Sequence, residues 1–120
     1  MQEADFSYEV VIGEDCSTDR TRPIVMEYAR AYPGKIRLVV GSERVGAPRN
    51  FARTLEACQG QYIALLDGDD YWTSPDKLRK QVEFLDRRPE CAICFHDVLV
   101  VYEDGSRNPP HGLLCWRTTL

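Results

Sequence analysis

The sequence predicts an α/β domain: a mainly parallel sheet with flanking helices. Two observations predict it. Short β-branched or aliphatic runs alternate with stretches of helical period in the order βαβαβαβ, the pattern of strands joined by crossover helices. The first three strands are also each followed by a polar loop rich in glycine or capping residues, where a parallel strand hands over to its helix. At 120 residues, with 43% apolar and 28% charged residues, the chain suits one main domain. We place that domain at 1–107 and an irregular C-terminal tail at 108–120.

Tyr8–Ile12 is the first strand, β-branched and apolar. The polar turn from Gly13 to Asp19 follows, with Ser17, Thr18 and Asp19 as helix caps. A helix runs from Asp19 or Thr21 to Ala31. Pro23 is tolerated in its first turn, and Pro33-Gly34 stops it. Ile36–Val40 is the second strand and leads into the loop Gly41–Ala47. Pro48 opens a second helix with Phe51, Leu55 and Cys58 at helical spacing, ended by Gly60. Tyr62–Leu66 is a short, continuously apolar run, the signature of a buried parallel strand. A third helix has Ser74 as cap, Pro75 as first residue, Asp76 as first-turn acid, and Leu78, Val82 and Leu85 as apolar face. Cys91–His96 and Val98–Tyr102 read as strands, the latter running into the turn Glu103–Ser106. No periodicity is visible from Asn108 onward.

Composition excludes several functions. A net charge of −4 leaves no basic stripe to cover nucleic-acid phosphates. No apolar run approaches the ~20 residues needed to span a bilayer, and MQEADFSYE lacks a signal-peptide pattern. Five cysteines at irregular spacing read as reduced thiols, which points to the cytoplasm. Cys91-Ala-Ile-Cys94 has the CxxC form but sits in an apolar strand without a second pair, so buried thiols are the better reading.

The chemistry concentrates at Asp67, Asp69 and Asp70. In an extended segment Asp67 and Asp69 point the same way, roughly 7 Å apart, with Gly68 between them. Carboxylates so close repel unless a cation sits among them. Hard oxygen donors suit Mg²⁺ or Mn²⁺. The competing reading is a solvated turn capping a strand. Parallel sheets bind ligands at the carboxyl ends of their strands. The loops Gly13–Asp19, Gly41–Ala47 and Asp67–Trp72 are therefore expected on one edge. Arg44, Arg49 and Arg53 would join these carboxylates there, an arrangement suited to a phosphorylated ligand held through a divalent ion.

YEVVIGEDCSTDRT, followed by ERVGAPRNFARTLEACQGQYIALLDGDDYWTSPDKLRKQVEFL, resembles the nucleotide-sugar half of family 2 glycosyltransferases of the Rossmann-like GT-A fold. The resemblance covers about residues 8–104. It implies transfer of a sugar from a nucleotide-diphosphate donor, expected to be a UDP-sugar, to an acceptor hydroxyl, metal-assisted and inverting. By resemblance Asp15, assisted by Glu14, contacts the base, and Asp67 lies near the ribose and diphosphate. Asp69 is the firmest ligand of Mn²⁺ or Mg²⁺, and Asp70 binds that ion directly or through water. Arg49 or Arg53 approaches the phosphates or base, and Trp72 lines the sugar pocket or packs beneath the acidic loop. The implied acceptor is a saccharide or a lipid-linked one, which would allow peripheral attachment at the inner membrane face.

The chain also departs from that family. The usual first strand, reading like VSVIIPTYN, is missing, and the catalytic base is expected beyond the chain end. We therefore expect a domain truncated at both ends, with an open sheet edge prone to self-association. A non-catalytic remnant binding nucleotide diphosphate weakly or not at all is the alternative. His96 and Asp97 read as structural. A phosphorylation receiver domain would need a lysine after a late strand, and the last lysine is Lys80. A calcium loop starting at Asp67 fails because its fifth and twelfth positions are Tyr71 and Leu78.

Overall fold

The computed structural model describes residues 2–96, 98, 100–102 and 114–116. Asp97, the turn 103–106 and most of the tail lie outside the described residues. The chain divides into two compact units, residues 6–65 and residues 1–5 with 66–120. Strand and helix alternate, with parallel pairing, over residues 10–57.

In the unit of residues 6–65, β1 (Val10–Glu14) pairs in parallel with β2 (Ile36–Val40), in register from Val10 opposite Ile36 to Glu14 opposite Val40. The strand expected at Tyr8–Ile12 thus lies two residues later. It extends through Gly13 to Glu14, which pair with Val39 and Val40. α1 (Thr21–Ala31) connects the two strands, and the Thr21 amide donates to Asp19 Oδ1 at 2.8 Å. Tyr28 and Tyr32 stack along α1 with ring centroids 6.4 Å apart.

α2 (Ala47–Ala57) packs on β1, and the closeness of that approach explains two glycines. A Cβ on Gly13 would overlap Thr54 Oγ1 and lie 3.1 Å from both terminal atoms of Asn50. A Cβ on Gly41 would stand 2.7 Å from Arg53 Nη1. The bare backbone lets Asn50 Nδ2 donate to Gly13 O at 3.0 Å, tying the helix to the strand.

Residues 62–66 correct the sequence reading. They belong to no strand, and Ile63, Leu65 and Leu66 are exposed. An apolar run becomes a strand only against a partner edge. Among the described residues the parallel sheet has two strands, and neither pairs with this run.

In the second unit, α3 (Lys77–Asp86) packs on β3 (Ile93–Phe95), which pairs antiparallel with β4 (Leu114–Trp116). β4 lies in the stretch where no periodicity was visible. α3 begins three residues after Ser74 because the serine hydroxyl bonds the Asp76 carboxylate and caps no backbone amide. Gln2 takes that role. Its Oε1 accepts from the Leu78 amide at 3.1 Å, its Nε2 donates to Ser74 O at 2.8 Å, and the Glu3 amide donates to Pro75 O at 2.7 Å. Cys16, Cys58, Cys91 and Cys94 are free thiols, of which Cys91 is buried. No described helix is long and apolar enough to cross a membrane.

Candidate functional site

At the carboxyl end of β1 two adjacent acids have different surroundings. The Glu14 side chain is 1% exposed, and its carboxylate accepts from the Ser17 amide and from Arg22 Nε, each at 2.5 Å. Burial pushes its pKa up, but the hydrogen bonds from Ser17 and Arg22 outweigh that and hold it below the usual glutamate range. Arg22 also donates from Nη2 to Gly41 O at 3.0 Å and to Cys16 Sγ at 3.3 Å, joining the ends of both strands. Cys16 takes φ 55° in the intervening turn. The sequence reading paired Glu14 with Asp15 at a base; the structure commits the Glu14 carboxylate to Ser17 and Arg22.

Asp15 faces the loop after β2. Its Oδ1 accepts from the Val45 amide and its Oδ2 from the Gly46 amide, both at 2.8 Å. The Val45 bond is the main influence on its pKa. Desolvation opposes it, the Gly46 amide and the Arg53 and Arg44 guanidiniums add to it, and the net direction is downward. Arg53 Nη2 lies 3.5 Å from Asp15 Oδ1. Arg53 is itself held, donating to Asn50 Oδ1 from Nε at 3.0 Å and from Nη2 at 2.8 Å, and to Glu14 O at 3.0 Å. Arg44 donates to the carbonyls of Asp15 and Cys16 at 3.3 Å. Arg49 is exposed and projects from the first turn of α2, with no side-chain partner among the described residues. Sequence reasoning missed Arg22 and Asn50; the one available signal was that Asn50 and Arg53 stand three apart on a helix.

The acidic segment belongs to the other unit. Asp67 to Asp70 form a turn, with the Asp70 amide donating to Asp67 O at 3.1 Å. That differs from the extended geometry expected of Asp67 and Asp69, since Gly68 and Asp69 are the central residues of the turn. All three carboxylates are in exposed residues. Trp72 is half-buried beneath Lys77, whose Nζ stands 4.0 Å from the ring centroid. Desolvation lowers the Lys77 pKa. Among the described residues no three carboxylate, imidazole or thiol groups gather into a set that could hold a metal ion. The donors therefore do not form an all-protein cage. They do fit a divalent ion bound through one or two carboxylates and completed by phosphate and water.

The fold is that of an α/β protein with parallel strands and flanking helices, and comparison with known proteins gives the family. The model of "Glycosyl transferase family 2" matches residues 2–117, and the chain belongs to that family. It is 47% identical to an uncharacterized protein of Mycobacterium tuberculosis over 99% of this chain and 34% of the relative. It is 40% identical to the putative teichuronic acid biosynthesis glycosyltransferase TuaG of Bacillus subtilis, over 82% of this chain and 38% of that protein. It is 36% identical to the poly(ribitol-phosphate) beta-N-acetylglucosaminyltransferase TarS of Staphylococcus aureus, over 82% of this chain and 16% of that protein. The chain thus spans between 16% and 38% of the length of these relatives. No solved structure gives a significant match.

Proposed function

We propose that these residues form the donor-binding part of a glycosyltransferase that moves a sugar from a nucleoside diphosphate, with UDP as the nucleotide, to an acceptor hydroxyl with inversion. The family match supports the reaction class. The observation that carries the nucleotide reading is Asp15: an ionised carboxylate at the carboxyl end of a parallel strand, fixed by two loop amides. Each carboxylate oxygen has a second lone pair, so the held Asp15 still accepts from a base N–H. Arg49, exposed and unpaired among the described residues, is the cation available to the phosphates, whereas Arg53 is engaged. Glu14 and Arg22 hold the turn between them. Asp69, with Asp67 and Asp70 beside it, would hold Mn²⁺ or Mg²⁺. When bound, the ion neutralises charge that develops on the departing diphosphate. The acceptor, a saccharide or a lipid-linked one, and the catalytic base are assigned to no residue here.

Titration calorimetry of the 120-residue chain tests the reading. UDP binding should require Mn²⁺ and weaken at least about tenfold, ~1.4 kcal/mol, in Asp69→Ala. Tight metal-free binding unchanged by that substitution would overturn the metal role.

A further inference from the structure

We propose that Arg53 is a positioning residue for nucleotide recognition: it holds Asp15 in place and touches no part of the donor itself. The inference rests on the nucleotide reading above and deepens it. Four observations carry it. The guanidinium of Arg53 is held along its Nε–Nη2 edge, by two bonds to Asn50 Oδ1 and one from Nη2 to the Glu14 carbonyl. The same Nη2 lies 3.5 Å from Asp15 Oδ1, the oxygen that accepts from Val45. The Arg53 side chain is 24% exposed and that of Asp15 18%, so the pair is partly shielded from solvent. Finally, the position opposite Arg53 Nη1 is Gly41, where any Cβ would intrude at 2.7 Å.

The chemistry of this arrangement is asymmetric. A guanidinium whose Nε and Nη2 are bonded to fixed acceptors is not free to follow a mobile phosphate, but it is well placed to hold a carboxylate ionised and stationary. Asp15 Oδ2, which accepts from the Gly46 amide, then keeps a lone pair for a ligand. Arg44 lies on the same carboxylate's backbone, and the Glu14–Arg22 pair closes the far side of the turn. Among the described residues these are the charged groups beside Asp15, and Arg53 is bonded to the Glu14 carbonyl and to Asn50 while paired with the carboxylate.

The test combines a ligand-free and a ligand-bound measurement on the 120-residue chain. In NMR titrations of the unliganded wild type, the Val45 and Gly46 amide protons should shift with the Asp15 carboxylate. In Arg53→Gln the shared midpoint should rise toward the ordinary aspartate range. In calorimetry with Mn²⁺, Arg53→Gln should weaken UDP about tenfold and leave inorganic pyrophosphate, which has no base, unchanged within twofold. In an Asp15→Asn background the same substitution should alter UDP affinity less than about twofold, because the group it positions is gone. Asn50→Ala, which frees the guanidinium without removing its charge, should act in the same direction should Arg53→Gln fail to fold. An unmoved Asp15 midpoint, or equal losses for UDP and pyrophosphate, would overturn the proposal. If the wild type does not bind UDP at all, the nucleotide reading fails, and the ligand-free titration still decides whether Arg53 holds Asp15.

Discussion

Replacing Glu14 by glutamine would remove one charge from the least exposed polar side chain described here. The substitution keeps the side chain's size and leaves Arg22 facing an amide. Glu14 is 1% exposed and Arg22 33%, so the arginine recovers part of its hydration when the pair is broken. Removing one partner of a fully buried pair costs about 3–5 kcal/mol, and a hydrogen bond to a charged group contributes about 1.5–3. The half-exposed partner places this pair at the low end, ~2–3 kcal/mol. For a chain of this size that corresponds to a fall in Tm of about 10 °C. The pH dependence has a definite sign. The folded pKa of Glu14 is depressed, so its contribution is complete above the ordinary glutamate pKa of about 4.3 and disappears as pH falls through the lower folded value. Thermal melts followed by circular dichroism from pH 7 to 3 would measure both effects. Glu14→Gln should be less stable at pH 7 and lose less stability on acidification than the wild type. A variant within 0.5 kcal/mol of the wild type at pH 7, with an unchanged acid limb, would refute the account of Glu14 as the anchor of the turn.

Two further predictions concern packing and the start of α3. Gly13→Ala should destabilise by about 1–3 kcal/mol in urea unfolding, because the new methyl group meets a Thr54 hydroxyl already held by Asn50 O at 2.6 Å. Adding Thr54→Ala should recover part of that loss; a double variant no more stable than Gly13→Ala would show that the clash lies elsewhere. Asp76, held by the Ser74 hydroxyl and then by Lys80, should titrate at about 2 in carbon-detected NMR. Its support for the helix start is therefore present above about pH 4 and lost as pH falls toward 2. Ser74→Ala should raise that midpoint, and a wild-type midpoint in the ordinary aspartate range would contradict the bonding described.

Much of the fold was legible because its signals are local. Ile36–Val40 is β-branched and bounded by Gly34 and Gly41, and it forms the strand β2 at those residues. Pro23 and Pro48 mark the first turns of α1 and α2, and both helices lie within one residue or so of their expected bounds. What the sequence hid depends on partners distant in the chain. The start of α3 depends on Gln2, whose amide reaches backbone groups more than seventy positions away. Tyr62–Leu66 has the composition of a strand, but composition does not supply the edge it must pair with.

The adjacent acids Glu14 and Asp15 show how the same limit bears on the site. Read as a string, they are two carboxylates after a strand, equally suited to a nucleotide base. Nothing in that string says which one is buried. Burial requires a cation on one side, and Arg22 supplies it to Glu14 eight residues along the chain. The other side then needs donors to keep Asp15 ionised, and these come from Val45, Gly46 and Arg53, thirty or more residues away. A ligand reaching for Glu14 would have to break two charge-assisted bonds of 2.5 Å in a side chain that is 1% exposed. Asp15 has unused lone pairs and an anchored carboxylate, so it can accept from a base without giving up what holds it. The different surroundings of the two acids thus follow from where Arg22 and Arg53 stand.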